Sequence, residues 1–331
     1  MIRSLTFLLF CLGLATAQAA EVVAFQSDGV TLGGTLEMPE NPVAGVVLLP
    51  VAGPTDRDLS LGPKKFFADL AAAFLDQGIA SIRFDDRGVG ESGGSWLQTG
   101  FDQRGRDACA AMELLAEKGI QSRGYLGMSE GGGVALYAHA NCAPGDFLAL
   151  LSTPVLSGRE TLDAQLSRAL EILTQIPPDQ HQLLRDQAGQ MLALALSDDA
   201  DAAQQGLEEL LGGPTGSLLL PPYGFVPQDL DSRVAFVRSP WYRSQIAYDV
   251  SAYLDTGSTP LKALYGELDQ VIDPQSHLSI IQQHHDEVSV VPGLNHLMQQ
   301  AVTGSPAEYM AVPGTIAPRV VRDLLAWIQS L

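Results

Sequence analysis

The stretch Tyr125-Leu126-Gly127-Met128-Ser129-Glu130-Gly131-Gly132-Gly133-Val134-Ala135-Leu136 decides how the rest of the chain is read. One short apolar run enters it and another leaves it. Between them, Gly127-Met128-Ser129-Glu130-Gly131 has the spacing G-x-S-x-G. The reason for that spacing is steric. A sharp turn from strand to helix forces the serine backbone into a strained conformation, and only glycine two residues to either side lets strand and helix approach so closely. The hydroxyl of Ser129 then stands at the tip of the turn, beside the N–H groups that open the helix. The same spacing would serve a glycine-rich packing turn with an idle serine, so the reading depends on the surrounding elements.

Outward from this turn the chain alternates strands and helices. Upstream, 21–27 and 30–38 alternate apolar and polar residues across Asp28-Gly29, a hairpin signal. Residues 44–49 and 79–84 are short apolar runs suited to strands buried on both faces. Between them 66–75 has helical spacing and stops at Gly78, and 102–116 predicts a helix ending near Gly119. Downstream, 147–151, 261–265 and 288–291 read as strands, 274–283 as a helix, and 319–330 as a closing amphipathic helix. This alternation predicts an α/β fold, with a mostly parallel sheet flanked by helices on both faces. Residues 155–239 break the rhythm. Leu162, Leu166, Leu170 and Leu173 make one helical stripe, Leu183, Leu184, Met191, Leu192 and Leu194 a second helix, and 202–211 a third, followed by a Pro- and Gly-rich loop over 214–227. A helical insertion between two strands is expected to cap one edge of the sheet.

The chain has 331 residues and a formal net charge of −19, which disfavours phosphate backbones and anionic lipid surfaces. No nucleic-acid partner is expected. Residues 1–19 read as a secretory signal peptide: Arg3, an apolar run from Leu5 to Ala15, then Ala17-Gln18-Ala19. That run is short of the ~20 residues a membrane span needs, so no stable anchor is expected. The expectation is an exported chain, periplasmic or secreted, with one domain over 20–331. Export permits Cys109 and Cys142 to pair. They would lie at different heights on parallel helices, however, and a disulfide needs Cα atoms within ~7 Å, so the pairing stays open.

A serine hydroxyl needs a base, and the base needs an acid to orient it. His139 lies ten residues along the helix that Ser129 starts, ~15 Å away. His181 falls in the insertion. His277, His284 and His285 read as solvated, and His284-His285-Asp286 lacks metal-ligand spacing, so neither metal nor cofactor is expected. His296 differs, because it follows strand 288–291 at the carboxyl edge of the sheet, where such sites form. After strand 261–265 come Glu267, Asp269 and Asp273; four residues past the strand, Asp269 has the reach to meet the His296 loop. An oxyanion hole needs two backbone N–H groups. Glu130 supplies one, and Ala52, after strand 44–49, is chosen for the other ahead of Gly53; Pro54 has no N–H. Gly53, Trp241 and Tyr242 are candidate substrate contacts, with packing of the insertion on the sheet as the competing role for the two aromatics.

Gly127-x-Ser129-x-Gly131, Gly266-x-x-Asp269 and Asn295-His296, in that order, resemble the alpha/beta-hydrolase superfamily. Gly53-Pro54-Thr55-Asp56-Arg57-Asp58 and Asp85-Asp86-Arg87-Gly88-Val89-Gly90-Glu91-Ser92 are similar to the oxyanion-loop and D-x-R-G-x-G-x-S signatures of its esterase, dienelactone-hydrolase-like and prolyl-oligopeptidase-like branches. Pro50-Val51-Ala52 departs from the Ser or His, Gly, small residue that those relatives carry. The resemblance implies hydrolysis of small-molecule carboxylic esters through an acyl-enzyme, with Ser129 attacking, His296 carrying the proton and Asp269 holding the imidazole. A serine peptidase or acyl-aminoacyl hydrolase is the alternative; prolyl-oligopeptidase-type peptidases carry an extra N-terminal domain for which this sequence shows no segment. A non-catalytic binding protein of the same fold is a third reading, disfavoured by the intact Ser, His and Asp. Oligomeric state, acyl length and alcohol are not legible.

Overall fold

The computed structural model describes residues 20–172, 176–220 and 226–331. The expected signal peptide, Leu173 and part of the 214–227 loop lie outside the described residues. The chain starts with β1 (Glu21–Ser27) and β2 (Val30–Glu37), joined by a two-residue turn in which Asp28 and Gly29 both have positive φ. Such a turn carries the right-handed twist of the flanking strands, and it fixes the register from Ser27↔Val30 to Glu21↔Leu36. Then come β3 (Ala44–Leu49), β4 (Ile79–Phe84), β5 (Arg123–Met128), β6 (Phe147–Leu151), β7 (Leu261–Gly266) and β8 (Val288–Val291). They form one eight-stranded sheet in the order β1-β2-β4-β3-β5-β6-β7-β8. From β4 to β8 the strands run parallel, while β1 and β2 supply the antiparallel edge.

Every residue of β3, β4 and β6 is buried, because helices cover both faces. On one face lie α1 (Phe66–Asp76) and, closing the chain, α10 (Pro318–Ile328). Their Phe67, Phe74, Leu324 and Trp327 pack on Val46, Leu126 and Phe147. On the other face lie α2 (Phe101–Glu117), α3 (Glu130–Asn141) and α9 (Pro274–Ile281).

Between β6 and β7 the chain builds α4 (Gly158–Ile172), α5 (His181–Leu196), α6 (Ala200–Gly212), α7 (Leu230–Arg238) and α8 (Pro240–Ala247). These five helices have their own apolar cluster, centred on Leu184, Met191, Leu207, Phe236 and Trp241. Leu183, counted from the sequence among the apolar residues of the second helix, is exposed. The helical run does not stop at Ser239. The Ser239 hydroxyl accepts a hydrogen bond from the Tyr242 N–H at 3.2 Å, and Pro240 occupies the first helical turn, so one more helix starts there. Among the described residues no helix is long and apolar enough to cross a membrane.

Cys109 and Cys142 form a disulfide with Cα atoms 6.1 Å apart. The sequence argument assumed that α2 and α3 start at equal heights. They do not, since Gly105 in α2 faces the ring of Tyr137 in α3, and even a methyl group at 105 would collide with that ring. This close approach sets the last turn of α3 against the middle of α2.

Candidate active site

β5 ends at Met128, and the next residue turns the chain into α3. Ser129 has φ 55° and ψ −122°, a sparsely populated conformation that costs about 1–3 kcal/mol. Its N–H is held by the Leu151 carbonyl at 2.8 Å, and its carbonyl by the Gly132 N–H at 3.0 Å. A side chain at 127 would strike the Gly131 backbone, and one at 131 would strike the carbonyl oxygens of Leu49 and Pro50. The two glycines are thus the condition for the turn.

Three strand ends bring three distant side chains together. His296, in the loop after β8, places Nε2 2.9 Å from Oγ of Ser129. Its Nδ1 is 2.7 Å from Oδ2 of Asp269, in the loop after β7. The other oxygen of Asp269 accepts the N–H groups of Val271 at 2.8 Å and Ile272 at 3.0 Å, so both carboxylate oxygens are used. Exposures of 9% for Ser129, 5% for His296 and 0% for Asp269 mean that water competes little for these bonds. The His296 loop is fixed from within. Buried Asn295 accepts the N–H groups of Leu297 and Gln299 at 3.0 Å each and donates to the Gln299 side chain at 3.1 Å. The two rival acids have other tasks. Glu267 accepts the Gly293 N–H at 2.8 Å, and Asp273 caps α9 through the Ser276 N–H at 3.0 Å.

A cavity of about 70 Å³ opens beside Ser129, under the helical insertion. Ala52 and Glu130 line it, together with Trp241, Tyr242, Leu162 and Gln245. Glu130 is the first residue of α3, where backbone N–H groups have no partner within the helix. Gly53 lines a separate small recess with Asp86, Arg104 and Trp241, whereas Ala52 lines the same cavity as Ser129. Trp241 and Tyr242 are buried in the insertion's core and wall the cavity.

The loop carrying Ala52 is pinned by the turn after β4. Arg57 donates its N–H to Asp85 Oδ1 at 2.8 Å and its Nη2–H to Asp85 Oδ2 at 2.5 Å. Burial alone would raise the Asp85 carboxyl, but the hydrogen bonds from Arg57 and the Glu91 N–H outweigh it and hold the group below the usual carboxylate range. Asp86 accepts from the Thr55 N–H at 2.9 Å and hydroxyl at 2.6 Å. Arg57, Asp58, Asp86 and Arg87 each form ion pairs that hold these loops, while Asp56 accepts the backbone N–H groups of Asp58 and Ser60.

Sequence reasoning missed several residues here. His277, read as solvated, is buried: its ring stacks on Tyr265 and its Nδ1 accepts the Val155 N–H at 3.1 Å. Burial pushes its pKa down to about 4, against a smaller opposing pull from Asp269 and Asp273. The signal was present in the sequence, because Pro274, His277 and Ile281 fall on one helical stripe. His284 is exposed, and His285 is half-buried with Nε2 2.7 Å from the Leu254 carbonyl. From the insertion, Arg168 donates to the Asp269 carbonyl at 2.7 Å and Gln245 to Glu130 Oε1 at 2.7 Å. No local pattern marks either residue.

The whole sheet order can be compared with solved proteins. The esterase Pf2001 of Pyrococcus furiosus superposes with a TM-score of 0.55 at 14% identity, covering 95% of this chain and 91% of that one. Proline iminopeptidase of Mycobacterium smegmatis gives 0.54 at 16% identity, covering 94% and 98%. In sequence, Esterase EstD of Thermotoga maritima is 23% identical over 317 residues, covering 92% of this chain and 68% of that protein. The profile of the family described as serine aminopeptidase, S33, matches residues 64–208. The chain has the fold of the alpha/beta hydrolases. The family match spans the turn at Ser129 and stops before Asp269 and His296. In this chain the acid and the histidine therefore rest on geometry. An imidazole that faces a hydroxyl with one nitrogen and a buried carboxylate with the other can draw off the hydroxyl proton and hold the resulting positive charge.

Proposed function

We propose that this hydrolase is a serine carboxylesterase acting on small-molecule esters of short to medium acyl chains. Ser129 Oγ attacks the ester carbonyl carbon while His296 Nε2 takes its proton. Asp269 holds the imidazole with Nδ1–H pointing at its carboxylate and stabilises the imidazolium. The carbonyl oxygen becomes an oxyanion that receives hydrogen bonds from the Glu130 and Ala52 amides. The C–O bond then breaks, the alcohol leaves with the proton from His296 Nε2, and water repeats the sequence on the acyl-enzyme. One observation carries the reading: a single buried imidazole bridges Ser129 Oγ at 2.9 Å and Asp269 Oδ2 at 2.7 Å, with the serine in a strained turn.

The test is hydrolysis of p-nitrophenyl acetate and butyrate. Ser129→Ala should lower kcat by at least ~10³-fold, and the wild type alone should react with a fluorophosphonate. Retained turnover in that variant refutes the mechanism. The aminopeptidase description of the matching family supports a second reading, cleavage of aminoacyl amides. Comparing an aminoacyl p-nitroanilide with the p-nitrophenyl esters separates the two. Export is part of the proposal. The Cys109–Cys142 disulfide supports it, because such bonds persist in oxidising compartments.

A further inference from the structure

Arg104, in the first turn of α2, is a buried cation for which the reaction above has no use. Its guanidinium lies between two carboxylates that are also buried. Nη1 forms an ion pair with Oε1 of Glu130, the residue whose amide opens α3. Nη2 lies 3.6 Å from Oδ1 of Asp86. The second oxygen of Asp86 takes both the N–H and the hydroxyl of Thr55, and Thr55 follows Ala52 by three residues through Gly53-Pro54. One planar fork therefore spans from Glu130 to the carboxylate that holds Thr55, in the loop carrying Ala52. Gln245 of α8 adds a hydrogen bond to the same Glu130 oxygen at 2.7 Å, fastening the insertion to this link.

A lysine would meet one carboxylate as a point charge; the two terminal nitrogens of an arginine meet both in a fixed geometry. An ion pair that only anchored α2 would need one partner. Here the two partners lead to the two segments whose spacing decides whether a tetrahedral oxyanion receives two hydrogen bonds or one. Such donors act at about 2.7–3.1 Å, and misplacement by less than an ångström weakens them.

We propose that Arg104 is a positioning residue that sets the separation of the Glu130 and Ala52 amides, and so tunes stabilisation of the transition state rather than binding of the ester. The inference rests on the esterase reading. It is tested with the full-length protein carrying Arg104→Lys, and with Asp86→Asn as a second variant on the other arm. Active sites are counted with a fluorophosphonate, kcat and KM are measured on p-nitrophenyl acetate, and affinity is measured for a small alkylboronic acid, whose serine adduct is tetrahedral. Expected for Arg104→Lys is a kcat lower by about 10–100-fold per titrated site, KM within about threefold, and boronic acid binding weakened by the same factor as kcat. Asp86→Asn should move kcat and boronic acid affinity together, by at least about threefold. Variants that melt earlier but keep kcat and boronic acid affinity within twofold per titrated site overturn the proposal. Ser129→Ala tests the esterase reading separately. If it stays active, that reading fails whatever Arg104 does. If it is dead while the Arg104 and Asp86 variants turn over normally, only the present inference fails.

Discussion

His277 should make this protein acid-sensitive well before its carboxylates titrate. Its imidazole is 2% exposed, stacked on Tyr265, and committed as an acceptor to the Val155 N–H. A protonated ring would lose that bond and bury a charge, which is why burial holds the pKa at about 4 against 6.5 in the unfolded chain. The sign follows from which state binds the proton. Between those two values the unfolded chain is protonated and the folded one is not, so stability falls as pH falls. The contribution is fully present above about pH 6.5 and is lost by about pH 4. Linkage with these values gives a loss from pH 7 of ~2 kcal/mol at pH 5 and ~3 kcal/mol at pH 4. His277→Asn keeps an acceptor for Val155 and removes the titration. It should be less stable than the wild type at pH 7, through lost stacking, yet lose ~3 kcal/mol less on going to pH 4. Urea unfolding of both proteins at pH 4, 5, 6 and 7 measures this directly. Parallel stability curves would refute the reasoning, because they would mean that the buried imidazole accepts its proton as readily as a free one.

Three further perturbations have defined outcomes. Replacing Cys109 and Cys142 together by serine opens a link across a sequence separation of 33 residues, and loop-closure entropy for that length gives a loss of about 3–4 kcal/mol; thermal or urea unfolding under non-reducing conditions checks it, and an unchanged midpoint contradicts it. Asp269→Asn should lower kcat on p-nitrophenyl acetate by roughly 10³–10⁴-fold with little change in fold by circular dichroism, since the imidazole loses its orienting carboxylate. Gly131→Ala should lower stability by about 3 kcal/mol or more, because the added methyl meets the backbone carbonyls of Leu49 and Pro50 rather than a side chain that can move; a melting temperature within a degree of wild type would contradict that.

What could be read in advance follows the range of the forces involved. The turn at Ser129 was legible because its cause is local: five consecutive residues contain both the strained serine and the two glycines that permit it. The buried strands were legible because a strand covered on both faces must be apolar at every position, as β6 is. Asp269 and His296 were reachable through chain order and strand ends. The Cys109–Cys142 bond was not, because it depends on the axial offset of two helices, and that offset is set by the fit of the Tyr137 ring against Gly105. The burial of His277 was written in the stripe it shares with Pro274 and Ile281, but adjacency to His284 and His285 drew attention to the wrong grouping. The partners of Arg104 lie 18 residues before it and 26 after it in the chain, beyond any periodic pattern.

The helical insertion shows why sequence freedom in a cap has limits. Among the described residues its helices bury a core around Leu184, Leu207, Phe236 and Trp241, against which Ala52, Trp96 and Leu97 from outside the insertion also pack. A lid held only by that core could shift over Ser129 at small cost. It is instead tied to two parts of the site by charged or amide side chains acting on polar atoms. Arg168 of α4 donates to the backbone carbonyl of Asp269, and Gln245 of α8 donates to the carboxylate of Glu130. Each tie ends on a residue adjacent to the chemistry, the acid behind the histidine in one case and the first amide of α3 in the other. Glu130 is also in contact with Arg104, so the Gln245 bond and the buried ion pair meet on one carboxylate oxygen. The insertion is thereby tied through Arg168 and Gln245 to Asp269 and Glu130, the residues proposed to orient His296 and to supply an oxyanion amide.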